Sequence, residues 1–332
     1  MKVLVLTDLK IGSSKQAIAL GKSISNDVVI ENIEYNFLIK IPNIIRPGLL
    51  GVKINGDKLN ELLSINPDII IYSGRRLTKI AIYLKKHSSN KNIKLITITN
   101  PECNFREFYK VILPFHDRDV EDKYNNIIRI IGSISSFDEN KMKDDAEYLV
   151  KHTLRTNQTK YVSFFIGGST KTKTFNKFKF STFVQQLSNI IRKQDYTLLI
   201  STSRRTSDDC FNTLENNLFC KNYLYNWKQA QIDKTIKNPY NAYLYLSDIV
   251  VATADSISMI SEALTLGKSV YLYRDVEQME EKHIKFTQQL LDEGYVKNFD
   301  DSVKSIENFS HKKLDELNRI KELILENINK NN

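Results

Sequence analysis

Short apolar runs rich in β-branched residues recur along this chain, and each one breaks into polar turn formers followed by helix-patterned sequence. Val3-Leu4-Val5-Leu6 breaks into Thr7-Asp8, Ile69-Ile70-Ile71-Tyr72 into Ser73-Gly74-Arg75-Arg76, and Lys94 to Thr99 into Asn100-Pro101. Val111-Ile112-Leu113 ends in Pro114-Phe115-His116-Asp117, and Asn126 to Ile131 ends in Gly132-Ser133. The pattern restarts with Tyr161 to Ile166 before Gly167-Gly168-Ser169-Thr170, and Tyr196 to Ile200 before Ser201-Thr202-Ser203-Arg204-Arg205-Thr206. A strand that is apolar on both sides must be covered on both faces, and parallel sheets flanked by helices provide that cover. The recurrence therefore predicts an α/β protein with its loops gathered at the carboxyl edge of the sheets, where such folds place their sites.

The fullest example is Val250 to Tyr273. It reads as strand, polar turn, helix, glycine stop and second strand. Asp255 or Ser256 is expected to cap the helix, and Gly267 to end it in a left-handed turn. At about 100° per residue, Asp255, Ser258, Glu262 and Thr265 share one face, while Ile257, Ile260 and Leu264 face the core. A helix N-terminus after a parallel strand suits phosphate, and Glu262, further along the same face, suits ribose hydroxyls. The plain alternative is a solvated polar face.

At 332 residues the chain exceeds one core, and the restart of the pattern predicts two domains. The expected bounds are 1–152 and 160–310, joined by a polar linker, with 311–332 as a terminal helix. Both halves read as Rossmann-like, doubly wound domains facing a cleft, although the first lacks G-x-G-x-x-G, which disfavours a nicotinamide cofactor.

The formal charge of +9 is spread over both halves without an arginine-rich run, so nucleic acid is not the expected partner. An anionic lipid surface or phosphorylated substrate fits better. Cys103, Cys210 and Cys220 are odd in number and lack metal-site spacing, implying a reducing cytoplasm and no metal. Met1-Lys2 is followed by only four apolar residues before Thr7-Asp8, too few for a signal peptide, and no apolar run is long enough to span a bilayer. The expected location is cytoplasmic, peripheral to the inner membrane.

Gly167-Gly168 permits close backbone approach with Ser169 beside it, Ser203-Arg204-Arg205-Thr206 supplies charge, and Asp255, Ser256, Ser258 and Glu262 supply a helix terminus and a ribose-facing acid. That combination points to a GT-B-like nucleotide-sugar donor site in the second half. One arginine of each pair is expected to brace its own loop. In the first half, Arg75, Arg76 and Asn100 are candidates for an acceptor or phosphate. Asp8 and His116, both at strand ends, are candidate catalytic bases, with Asp117 orienting His116. The alternatives are that Asp8 caps its loop and that His116 simply packs. Ser203 and Ser256 lie outside G-x-S-x-G, which argues against a hydrolase.

The ordered series Ser201 to Thr206, then Thr253-Ala254-Asp255-Ser256-Ile257-Ser258-Met259-Ile260-Ser261-Glu262, resembles the Elm family, named for plant mitochondrial-fission proteins and widespread in alphaproteobacteria. The resemblance extends to Gly12 to Gln16, Pro67-Asp68, Gly74-Arg75-Arg76, Pro101, Pro114 to Asp117, Gly167-Gly168 and Asn238-Pro239-Tyr240. It implies a GT-B-like fold distantly similar to nucleotide-sugar transferases and non-hydrolysing epimerases, without implying a reaction. It adds Met259 to the donor positions and Gly12 and Gln16 to the acceptor side. The family usually has proline where this chain has Ser207 and Ser269, which loosens those two turn assignments.

The leading expectation is an inverting-type, metal-independent glycosyltransferase that needs no cofactor, takes a nucleoside-diphosphate sugar as substrate and serves a cell-envelope or lipid-linked acceptor. A non-catalytic scaffold and a nucleotide-sugar epimerase are the alternatives.

Overall fold

The computed structural model describes residues 1–117, 124–154, 160–168 and 173–329. Two compact units emerge, Met1–Ser136 with Asp315–Asn332, and Phe137–Leu314.

The first unit opens with β1 (Lys2–Thr7), α1 (Ile11–Ile24), β2 (Asp27–Asn32), β3 (Glu34–Tyr35), β4 (Val52–Lys53), α2 (Gly56–Ser64) and β5 (Ile69–Ser73). It continues through α3 (Thr78–His87), β6 (Lys94–Ile98), β7 (Lys110–Pro114) and β8 (Ile127–Ile130). Its parallel sheet has the order β2-β1-β5-β6-β7-β8, and β3 pairs with β4 as a small antiparallel hairpin. Alternation along the strands divides the core between the two faces. Val3, Val5, Ile69, Ile71, Ile96 and Ile98 pack on one side with Ala17 and Leu20 of α1. Leu4, Leu6, Ile70, Tyr72 and Leu95 pack on the other with Leu62, Ile80 and Leu84. The helix expected from Gln16 begins earlier, at Ile11, so Gly12 and Gln16 lie within α1.

The second unit comprises α4 (Glu139–Leu149), β9 (Tyr161–Phe165), α5 (Lys177–Lys193), β10 (Thr197–Ser201), α6 (Asp208–Asn217), β11 (Asn222–Tyr225) and α7 (Trp227–Ile232). It closes with α8 (Tyr240–Leu246), β12 (Ile249–Thr253), α9 (Ile257–Thr265), β13 (Ser269–Tyr273), α10 (Glu281–Asp292) and β14 (Val296–Asn298). All six strands are parallel in the order β11-β10-β9-β12-β13-β14, the Rossmann order 3-2-1-4-5-6. Phe164, Phe183, Tyr273 and Phe299 form an aromatic cluster on one face, with Phe183 and Tyr273 ring centroids 4.3 Å apart.

Helix α4 belongs to this second unit by packing: it lies against α8 and buries Met142 and Ala146. The final helix, α11 (Glu316–Asn329), returns to the first unit, where Ile320, Ile324 and Ile328, spaced four apart on one stripe, join the face of α1. These bounds differ from the expected 1–152, 160–310 and 311–332, because the buried stripe of each helix, rather than its place in the chain, selects its sheet.

Candidate functional site

In a doubly wound sheet, the strand order reverses at one point, and the loops on either side diverge to leave a crevice at the carboxyl edge. In the second unit that point lies between β9 and β12, whose following loops carry Gly167-Gly168 and Asp255-Ser256. In the first unit it lies between β1 and β5, followed by Asp8 and by Gly74-Arg75-Arg76.

The three loops of the second unit are bonded into one platform. The Gly167 N–H donates to Thr253 Oγ1 (2.8 Å), and the Gly168 N–H to Asp255 Oδ2 (2.9 Å). Thr206 Oγ1 donates to the Gly167 carbonyl (2.8 Å), which also accepts from Ser203 Oγ. Gly168 sits at φ +139°, where a Cβ would lie 2.2 Å from the Arg205 carbonyl oxygen. At Gly167 a Cβ would lie 2.1 Å from Asp255 Oδ2. Both glycines are therefore required by loop-on-loop packing. Ser169 lies outside the described residues.

Arg205 braces this platform. Its Nη1 pairs with Asp255 Oδ2 at 2.9 Å, and its Nη2 donates to the Asp255 carbonyl at 3.3 Å. Burial pushes the Asp255 carboxyl up, and Arg205 and the Gly168 N–H only partly offset this. Arg204, by contrast, is exposed and has no hydrogen-bond or ion-pair partner among the described residues. One arginine of the pair thus holds the loop and the other is presented to solvent.

This arrangement corrects the capping expectation. Ser256 occupies the N-cap position of α9 but makes no side-chain cap, and Asp255 is already bonded to Gly168 and Arg205. The first turn of α9 has no acidic residue, and among the described residues no side chain caps its free N–H groups. The core face expected for the helix holds at two of its three positions, Ile257 being only half-buried. Ile260 and Leu264 are fully buried, Ser258 is exposed, and Met259 and Glu262 are half-buried. Gly267, at φ +72°, closes the helix as the Lys268 N–H reaches the Ala263 carbonyl (3.0 Å).

Tyr240 Oη donates to Glu262 Oε2 at 2.5 Å, fixing the carboxylate on its helix face. Burial, followed by the adjacent carboxylate, raises the Tyr240 hydroxyl well above its ordinary value, so it stays a proton donor. From the sequence Tyr240 entered only through the Asn238-Pro239-Tyr240 resemblance, without a site role; its aromatic contact with Phe165, at 4.6 Å, depends on the fold. The two positions with serine for proline are both hydrogen-bonded. Ser207 caps α6 by accepting from Cys210 N (3.2 Å), and Ser269 Oγ bonds the Phe309 backbone at 2.9 and 3.1 Å.

In the first unit, Asp8 is buried and engaged: Oδ1 accepts from Lys10 N (2.8 Å) and Oδ2 from Tyr35 Oη. Burial and Asp8 raise the Tyr35 hydroxyl. Arg76 lies over the Tyr35 ring, 5.6 Å from its centroid. Arg75 pairs with Glu102 at 2.7 Å, a half-exposed contact of small energetic weight that an anion could displace. Asn100 Oδ1 accepts from Glu102 N (2.8 Å) and shapes that loop. Gln16 Oε1 accepts from Ile134 N (3.2 Å), and Gly12 is exposed in the first turn of α1. His116 is buried, with Nε2 4.0 Å from Asp117 Oδ1. The structure thus brings Asp8, Tyr35 and Arg76 together, and separately Asp117 beside His116.

The sequence model described as mitochondrial fission ELM1 matches residues 11–328. The uncharacterized protein RP120 of Rickettsia prowazekii (strain Madrid E) is 30% identical over 355 residues, covering 98% of each chain. Mitochondrial fission protein ELM1 of Arabidopsis thaliana is 24% identical over 263 residues, covering 70% of this chain and 57% of that protein. Among solved structures, the UDP-GlcNAc 2-epimerase of Methanocaldococcus jannaschii superposes with a TM-score of 0.57 at 14% identity, covering 98% of this chain and 100% of that one. A glycosyl transferase family 9 structure from Veillonella parvula DSM 2008 gives 0.44 at 12% identity, with coverage of 98% and 97%. The fold is GT-B-like.

Proposed function

The chain belongs to the mitochondrial fission ELM1 family, and from that premise we propose that its second unit binds the diphosphate of a nucleotide sugar and that the chain transfers the sugar to a hydroxyl acceptor. One observation carries this reading. At the β9/β12 switch point, α9 starts without a side-chain cap or an acid in its first turn, and the β10–α6 loop that bonds to it through Arg205 also carries Arg204, exposed and without a partner among the described residues, while Asp255 is tied to Arg205 and Gly168. Helix N–H groups and a solvent-facing guanidinium on adjoining loops at one sheet edge suit a diphosphate, and the bonds among those loops hold the backbone that presents them. Glu262, held by Tyr240, retains acceptor capacity for a ribose diol. The solved epimerase of similar fold is named for a UDP-sugar, which makes uridine the first base to test.

In the proposed reaction, the acceptor hydroxyl loses its proton to His116 as its oxygen bonds the anomeric carbon. The bond from that carbon to the diphosphate breaks, and the leaving charge rests on Arg204 and the α9 N-terminus. Asp117 orients His116. Asp8 already accepts from Lys10 N and Tyr35, so it serves to shape its loop and hold Tyr35 beneath Arg76. Arg75, Arg76, Asn100, Gly12 and Gln16 are assigned to the acceptor or its phosphate. No metal or cofactor enters the scheme. The acceptor class is a cell-envelope or lipid-linked compound, and the proposed location is cytoplasmic and peripheral to the inner membrane.

A second reading, epimerisation of the nucleotide sugar itself, is favoured by the resemblance to the Methanocaldococcus epimerase. Incubation with UDP-GlcNAc separates the two. A transferase releases UDP only when an acceptor is added, whereas an epimerase interconverts the sugar without one. Binding without turnover under both conditions would favour the scaffold alternative.

A further inference from the structure

The loop between Asn36 and Gly51 is built inside out. Two of its polar side chains, Arg46 and Asn43, point inward, at 1% and 2% exposed. Ile39 is buried, but three of its large apolar side chains point outward: Phe37 is 75% exposed, Ile44 82% and Ile45 70%, with Leu9 of the β1–α1 loop at 80%. A loop that faced only water would reverse this order, since burying a guanidinium costs energy that burying an isoleucine would recover.

The inversion is held in place by specific bonds. Arg46 Nη2 donates to Asn43 Oδ1 (2.7 Å), and Nη1 to the Ile39 carbonyl (3.2 Å). Asn43 Nδ2 in turn donates to the carbonyls of Arg75 (2.6 Å) and Pro101 (2.8 Å), pinning the loop to the carboxyl edge of the sheet. Backbone bonds from Asn36 N to Gly51 O (2.9 Å) and from Arg46 N to Pro42 O (3.0 Å) close it. The Ile44-Ile45 tip is thus presented by a fixed scaffold.

The charge pattern selects the occupant. No acidic residue occurs from Tyr35 to Gly56 or from Leu9 to Asn26, whereas Lys10, Lys15, Lys40 and Lys53 lie in these segments and are exposed; Glu34 and Asp57 flank the longer one. Protein-binding patches favour Tyr, Trp and Arg and are poor in Lys. Exposed Phe, Ile and Leu on segments that carry Lys and no acid match the boundary between acyl chains and anionic headgroups, with Glu34, across the β3–β4 ladder from Lys53, at the margin.

We propose that Phe37, Ile44, Ile45 and Leu9 insert into the interface of an anionic bilayer, with the surrounding lysines on its headgroups. This makes the first unit a membrane-contact module, independently of the donor assignment in the second. The test uses the full chain with vesicles of phosphatidylcholine alone and of phosphatidylcholine with phosphatidylglycerol at about 7:3. The chain should sediment with the anionic vesicles, and raised salt should weaken binding. Combined Ile44→Ser and Ile45→Ser should cut partitioning about tenfold or more, and Lys40→Glu about fivefold or more. Ile45→Trp should shift its emission to the blue on anionic vesicles and be quenched by brominated acyl chains. Absence of binding to either composition, as a purely protein-directed patch would give, overturns the proposal. So does undiminished binding by the serine variant at an unchanged melting temperature, or an Ile45→Trp signal that brominated lipid leaves untouched.

Discussion

Replacing Arg205 with methionine removes the cation that compensates the buried Asp255 carboxylate while keeping most of the side-chain bulk. Deleting one partner of a buried pair costs about 3–5 kcal/mol. The Arg205 side chain is 35% exposed, so solvent already screens part of the pair, and the lower end, about 3 kcal/mol, is appropriate. With a urea dependence of about 2 kcal/mol per molar, the midpoint should fall by about 1.5 M. Trp227, the one tryptophan in the chain, opens α7 in the second unit and reports this transition by fluorescence. The loss should depend on pH. Burial already raises the Asp255 carboxyl, and loss of Arg205 raises it further. A carboxyl raised in the folded state binds its proton more tightly there than in the unfolded chain. The deficit is therefore absent below about pH 3.9 and grows as pH climbs through the folded value. Urea titrations at pH 5 and pH 7.5 should show the smaller deficit at pH 5. Adding Asp255→Asn to Arg205→Met should recover most of the loss at pH 7.5. Equal deficits at the two pH values, or no recovery by asparagine, would refute the stranded-carboxylate reasoning.

Gly168→Ala forces a Cβ to 2.2 Å from the Arg205 carbonyl oxygen at φ +139°, and should cost about 3 kcal/mol or more, read as a collapse of soluble yield and of the Trp227 midpoint. Tyr240→Phe should cost about 1–2 kcal/mol and also weaken nucleotide affinity, because Glu262 loses the bond that orients it; unchanged affinity in calorimetry would remove Glu262 from the site. Burial holds the Cys103 thiol up to about 11 and that of Cys210 up to about 12, so at pH 8 roughly one molecule in a thousand or fewer carries a thiolate at either position. Iodoacetamide should therefore modify neither residue in the folded chain within an hour, and peptide mass analysis checks this.

Much of the fold can be read from local pattern. The β-branched runs sit where buried parallel strands require them, and the glycine stop at Gly267 follows from backbone chemistry within a few residues. What sequence pattern did not show are bonds between residues far apart in the chain. Asp255 is a good cap by its position before a helix, but a glycine 87 residues earlier and Arg205 claim its carboxylate first. Tyr35, 27 residues from Asp8, occupies an acid that looks free as a strand-end residue. The loop from Asn36 to Gly51 carries little periodicity because its ordering rests on Arg46 and Asn43, whose inward orientation contradicts the rule that polar residues face water. The helices at 139–149 and 316–329 are plain as helices; which sheet each covers is decided by tertiary packing.

The central claim is that the edge formed by Arg204 and the start of α9 holds a nucleoside diphosphate. Calorimetric titration of the intact chain with UDP, GDP, ADP and CDP, repeated with Arg204→Ala, tests it directly. At least one diphosphate should bind, and the variant should bind it about tenfold to a hundredfold more weakly at an unchanged apo melting temperature, because Arg204 has no partner to lose among the described residues. Binding of none of the four, or equal affinity for the variant, would contradict the account.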